Sequence, residues 1–252
     1  MSLLECEGVT KRFGGIVAVD DVSFEIEKGE TVGLIGPNGA GKSTLFKVIS
    51  GEHAPTEGTV SYDGTDITGW SPDDICHRGL TKTHQIVRPF ESLSILENVE
   101  VGAEFGGRKH EDVEERAYEA LEFVGLAERA HTSPSELSVG ALKKLEIARV
   151  LATDPGMLLF DEVAGGLDPE ETEEIVDLIG DIKGRGKTVF LIDHVMRALM
   201  SVSERVFVLN NGEFIAKGTP EEIQNDERVI EAYLGSGARD DDDNADTARG
   251  EA

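Results

Sequence analysis

Near the N-terminus the apolar positions recur at every second residue. In VAVDDVSFEI they largely alternate over Val19 to Ile26, the period of a half-buried strand, so the stretch from Leu3 to about Glu30 predicts short strands joined by turns. TVGLIG is apolar without interruption and predicts a fully buried strand, and KSTLFKVIS opens a helix directly behind it. GTVSYDGTDITG, Gly58 to Gly69, predicts a hairpin with Asp63-Gly64 at its turn. From roughly Ser94 to Leu151 the period becomes helical. Val113, Ala117, Ala120, Leu121 and Val124 form one stripe, opposite the acidic and solvated set Glu111, Asp112, Glu115, Glu119 and Glu122. MLLFDE and TVFLID predict two more buried strands, separated by a helix with the stripe Ile175, Leu178, Ile179 and Ile182, and RVFVLNNGEFIAKG predicts a closing hairpin. Strands that alternate with helices and are apolar throughout imply an α/β fold, with a mostly parallel sheet covered by helices on both faces. The last stretch, 239–252, is small, polar and acidic, and predicts a disordered tail on a single domain spanning 1–238.

Composition narrows the class. The chain has 252 residues, 39% of them hydrophobic, enough to bury a real core. Its apolar runs fall far short of the roughly 18 residues of a membrane-spanning helix, and MSLLECEG lacks the basic start and apolar core of a signal peptide. A cytosolic chain is therefore expected. Cys6 and Cys76 show no metal-ligand spacing and read as reduced thiols, and the six histidines form no HxxxH or HExxH pair. The 50 acidic against 24 basic residues leave a formal charge of −26, which argues against nucleic acid as a partner. Self-repulsion on that scale is screened only in concentrated salt, where the Debye length drops from about 10 Å at 0.1 M to about 3 Å at 1 M. A salt-rich cytoplasm is the expectation, with an ordinarily acidic surface as the alternative.

Candidate chemistry starts at GPNGAGKST. Gly36, Pro37, Asn38, Gly39, Ala40, Gly41, Lys42, Ser43 and Thr44 contain GxxxxGK[ST] between a buried strand and a helix. Glycines let successive backbone N–H groups turn inward around phosphates, and the helix start adds its positive dipole end. In such a loop Lys42 neutralises the β- and γ-phosphates of ATP and the Ser43 hydroxyl ligates Mg2+. The strand MLLFDE supplies the matching carboxylates, Asp161 for the metal and Glu162 to polarise the attacking water. An acidic pair behind a strand also serves as a helix cap or a solvated loop. Asp168, before Pro169 and three residues ahead of Glu171, fits an N-cap box in any case.

LSVGALKKLEIARVL, Leu137 to Leu151, resembles the signature and following helix of the ATP-binding-cassette (ABC) ATPases. Gln85 in THQIVRPF is similar to that family's glutamine loop and metal contact, Asp168 in GGLDP to its loop after the second carboxylate, and His194 in LIDHVMRALM to its switch histidine. Phe13 in KRFGG matches the aromatic that stacks on adenine. Taken singly, Phe13 could be core, Gln85 could end a strand and His194 could cap a helix. The resemblance runs from about residue 3 to 237. It implies a P-loop NTPase core with an antiparallel β subdomain and an inserted helical subdomain over about 90–152. It also implies catalytic roles for Glu162, His194 and Gln85. Val139 and Ala141 depart from the LSGGQ pattern, while Ser138 and Gly140, which carry its phosphate contacts, remain.

RFGG, THQIVRPF followed by SILENV, LEIAR and the ending VIEAYLG are jointly similar to ATPase subunits of branched-chain amino-acid importers, although urea importers and lipopolysaccharide exporters share the YLG ending. The resemblance implies a second ATPase subunit, identical or paralogous, whose Ser138 and Gly140 cover ATP. It further implies transmembrane permease subunits, a cytoplasmic membrane-face location, and indirect service to an extracellular solute-binding protein. A soluble ABC ATPase of chromosome maintenance or translation, and a nucleotide-binding regulator without hydrolysis, are the alternatives from other classes.

Overall fold

The computed structural model describes residues 2–84, 88–106 and 112–233. Two long strands, β1 (Ser2–Phe13) and β2 (Ile16–Glu27), open the chain, followed by the buried β3 (Thr31–Ile35) and helix α1 (Lys42–Ile49). Next come β4 (Glu57–Tyr62), β5 (Thr65–Asp66), α2 (Pro72–Arg78) and the short β6 (Leu80–Lys82). Helices α3 (Ile95–Glu104), α4 (Val113–Phe123) and α5 (Val139–Leu151) lead into β7 (Met157–Asp161), α6 (Pro169–Gly184) and β8 (Thr188–Ile192). The chain then forms α7 (Met196–Val202), β9 (Arg205–Asn210), β10 (Glu213–Gly218) and α8 (Pro220–Gln224).

Two sheets result. The antiparallel one has the order β2-β1-β4-β5, and the larger one β10-β9-β3-β8-β7-β6, parallel except for β10. All five positions of β3, β7 and β8 are buried, because helices and the second sheet cover both faces. Alternate side chains sort into two cores. Leu158, Phe160, Val189 and Leu191 meet α3 to α6, whereas Leu159, Phe190, Ile192 and Phe207 meet α1 and the antiparallel sheet. In the second core Phe24, Phe46, Phe190, Phe207 and Phe214 pack with ring centroids 4.9 to 6.2 Å apart, each such pair worth about 0.5–1.5 kcal/mol beyond its buried area.

The opening strands differ from the expectation of several short ones. They are twelve residues each, and register shifts between Cys6 and Val9 and between Val9 and Arg12 break the alternation that a sequence pattern relies on. The Asp63-Gly64 turn is as expected, with φ of 47° and 70°. Ala117, Ala120, Leu121 and Val124 are buried, and Asp112 caps α4 through the Glu115 amide at 2.9 Å. Glu111 and the 239–252 tail lie outside the described residues. Cys6 and Cys76 are free thiols, and burial pushes the Cys6 thiol well up from its ordinary value. Among the described residues no helix is long and apolar enough to cross a membrane.

Candidate functional site

The parallel strands end level, with Asp161 opposite Ile192 and Leu34 opposite Ile192 across the shared β8. Three loops therefore leave one edge of the sheet side by side: 36–41 after β3, 193–195 after β8 and 162–168 after β7. Binding sites form at such carboxyl ends. Here they enclose a cavity of about 220 Å³ lined by Asn38 to Thr44, Ala18, Glu162 and His194. The glycine-rich loop, Glu162 and His194 thus share one cleft.

The loop is shaped for an anion. Among the described helices, α2, α3, α4, α5, α6 and α8 each begin with a Ser, Thr or Asp side chain accepting a first-turn amide. Like the seven-residue α7, the α1 helix has no such cap, only Gly41 at φ 106°, and what marks α1 is that its first turn, Lys42 to Thr44, lines the cleft. Lys42 is 7% exposed, and its Nζ donates to the carbonyls of Gly36 at 2.6 Å and Pro37 at 2.9 Å. Burial pushes its ammonium below the ordinary lysine value, opposed by the nearby Glu162 and Asp161 carboxylates. A Cβ on Gly41 would stand 2.2 Å from the Ala18 carbonyl oxygen. Gly41→Ala is expected to lose at least about 2 kcal/mol through the left-handed backbone and the clash, about 4–8 °C in Tm. An unchanged melting curve would contradict the close approach.

Asp161 ends β7 with its backbone N–H donating to Thr83 Oγ1 at 3.1 Å. Its side chain is buried, Oδ1 has no hydrogen-bond partner, and Oδ2 is 3.6 Å from Lys82 Nζ. Burial raises the Asp161 carboxyl, with Lys82 acting against the shift. Glu162 adopts φ 58°, a left-handed conformation that costs a non-glycine residue about 1–3 kcal/mol. Three contacts hold it there: its N–H on Ile192 O at 2.8 Å, Lys143 Nζ on its carbonyl at 2.7 Å, and its Oε1 on His194 Nε2 at 2.7 Å. Asp193 fixes the histidine loop by accepting from the amides of Ala164 and Val195. His194 is not the side-chain cap of α7, whose N-cap is Val195.

Phe13, Ser138, Gly140 and Asp168 do not line this cavity. Phe13 is 43% exposed and not core, with Lys11 Nζ 5.1 Å over its ring and His53 packed edge-on at 5.3 Å. Ser138 is the N-cap of α5, accepting from the Ala141 amide at 3.2 Å, and Gly140 lies in the first turn behind the exposed Val139. Asp168 does form the N-cap box of α6 with Glu171. Gln85 lies outside the described residues. Lys82, Lys143 and Asp193 are contacts that sequence reasoning missed, since no motif marks which polar side chain of a strand end or helix turns toward the carboxylates. Tyr233, near the chain's end, reaches back to the Gly36 backbone; burial raises its hydroxyl and that hydrogen bond opposes the shift.

Two family models match the chain: one described as ABC transporter over residues 19–165, and one described as branched-chain amino acid ATP-binding cassette transporter over residues 215–239. The high-affinity branched-chain amino acid transport ATP-binding protein LivG of Salmonella typhimurium is 40% identical over 249 residues, covering 92% of this chain and 98% of that protein. An ATP-binding cassette of an ABC transporter solved in its ADP conformation superposes with a TM-score of 0.87 at 33% identity, covering 93% of this chain and 99% of that one. A bacterial ABC transporter cassette solved as a dimer gives 0.77 at 30% identity, over 86% and 99%. With this cleft, this sheet order and these matches, the chain belongs to the ATP-binding-cassette ATPases of ABC transporters.

Proposed function

We propose that this chain is the ATP-hydrolysing subunit of an importer for branched-chain amino acids, working at the cytoplasmic membrane face on permease subunits. The observation that carries the reading is the single cleft joining an uncapped helix start, Lys42, and the Glu162–His194 pair at 2.7 Å. The match of residues 215–239 to the branched-chain family supports the solute class.

The chain's own groups divide the work. First-turn amides of α1 and the Lys42 ammonium hold the β- and γ-phosphates of ATP, and the exposed face of Phe13 receives the adenine. Glu162, steadied by His194, accepts a proton from the water that attacks the γ-phosphate. Ser43 and Asp161 fit a divalent ion, because Asp161 presents a buried oxygen with no partner. Mg2+ held there would neutralise charge developing on the phosphate oxygens. Gln85 completes that contact in this reading. A second ATPase subunit lays its Ser138 and Gly140 over the γ-phosphate, while Asp168 lies on the same facing surface. Closure excludes water, which makes those donors effective.

Vesicles holding this chain with its permeases and solute-binding protein should take up leucine only with ATP and Mg2+ present. Uptake of urea but not leucine would overturn the solute assignment. The charge of −26 supports a salt-rich cell in this reading, and ATPase activity should then rise from 0.05 M toward about 2 M KCl as repulsion is screened. Higher activity at the lower salt would contradict that placement.

A further inference from the structure

Glu171 sits on the two donors of the signature turn. Its Oε1 accepts from the Gly140 amide at 3.3 Å and from the Ser138 hydroxyl at 3.4 Å. The capping box delivers it there, because its Oε2 accepts from the Asp168 amide at 3.4 Å while its own N–H donates to Asp168 Oδ1 at 2.9 Å. The fit is close. A Cβ added to Gly140 would stand 2.5 Å from Oε1 and 2.7 Å from the carboxyl carbon, so the second glycine of the signature is what admits this carboxylate. One turn further along both helices, Lys144 and Glu174 pair at 2.7 Å and keep α5 and α6 in register.

Ser138 already caps α5 through the Ala141 amide, so Glu171 is a second acceptor at that helix start, and a charged one. The start of α1, which reads as the phosphate cradle, carries no such side chain. The geometry points to Glu171 as an internal stand-in for phosphate, a positioning residue that occupies Ser138 and Gly140 until a facing subunit presents its γ-phosphate to them. The inference rests on the reading of Ser138 and Gly140 given above. Two anions cannot share one pair of donors without repulsion and loss of a hydrogen bond, so sealing the nucleotide requires Oε1 to withdraw. Because the other carboxylate oxygen holds the Asp168 amide, withdrawal pulls on the turn that carries Asp168. Occupancy of the signature is thereby passed to the neighbouring loop of the same subunit.

Glu171→Gln keeps the side-chain shape and an acceptor for Asp168 but removes the charge. In a Glu162→Gln background, expected to bind MgATP while hydrolysing it only slowly, the ATP concentration for half-maximal closure should fall about fivefold, as a neutral contact is weaker than a charged one. Light scattering follows closure of the free chain, and a fluorophore pair across the two subunits follows it in the assembled transporter. The melting temperature of the chain alone should fall by only about 2–4 °C, as the same contact is lost from the resting fold, and its Gly140 amide resonance should shift. A purely structural Glu171 would lower Tm without lowering the half-point for closure. A half-point that stays put or rises, or an unmoved Gly140 resonance, overturns the proposal. Ser138→Ala should raise the half-point several-fold; if it does not, the reading of the signature fails, and the Gly140 resonance still decides whether Glu171 holds that amide. If ATP closes neither preparation, the sandwich and this inference fall together.

Discussion

Glu162→Gln is expected to lower MgATP hydrolysis by about 10²–10⁴ while leaving nucleotide affinity within a few-fold of the unaltered chain. The expectation comes from where Glu162 stands. Its side chain faces the cleft from the end of β7, and its backbone is pinned by Lys143 and Ile192 in a conformation it would not adopt unaided. Neither backbone contact depends on the carboxylate, so the glutamine variant keeps the geometry and loses only the base. His194 can still meet the amide oxygen at the position it now holds on Oε1, 2.7 Å away. Steady-state turnover together with equilibrium MgATP binding checks both halves. Turnover within threefold of the unaltered chain would remove Glu162 from the proton-accepting role.

Lys42→Ala is expected to weaken MgATP binding by about 10- to 150-fold, the equivalent of the 1.5–3 kcal/mol of a charge-assisted hydrogen bond. In the structure the ammonium rests on two neutral carbonyls, Gly36 and Pro37. Exchange of those for phosphate oxygens is what binding affinity reads. The fold itself buries Lys42, which is 7% exposed, and a pre-placed charge loses little further freedom on binding. Calorimetric titration measures the effect. An affinity within twofold of the original would contradict a phosphate contact for Lys42.

Much of this architecture was legible because its signals are local. TVGLI, MLLFD and TVFLI each hold four consecutive apolar residues and become three adjacent inner strands, and a strand buried on both faces needs nothing else to be recognised. The phosphate loop was legible for the same reason: glycine positions, the lysine and the helix start all lie within nine residues of one another. Asp168 announced its cap by spacing alone, and the box with Glu171 is present. The rest depends on long-range placement. The three-residue β6 is too short to show a period, yet it carries Lys82 to within 3.6 Å of Asp161. Lys143 and Lys144 are adjacent in sequence, but helical geometry turns the first to Glu162 and the second to Glu174. Glu171 read as a capping residue and nothing more, since its contact with Gly140 arises only from the packing of α6 against α5.

The central claim is that the α1 helix start grips a triphosphate at Lys42 and that this grip is what the rest of the machinery serves. Isothermal titration of MgATP into the purified chain at low and molar KCl tests it most directly. One nucleotide should bind per chain, with the affinity weakened about 10- to 150-fold in Lys42→Ala and kept in Glu162→Gln. Absence of binding at every ionic strength, in a chain whose melting curve shows it folded, would contradict the account.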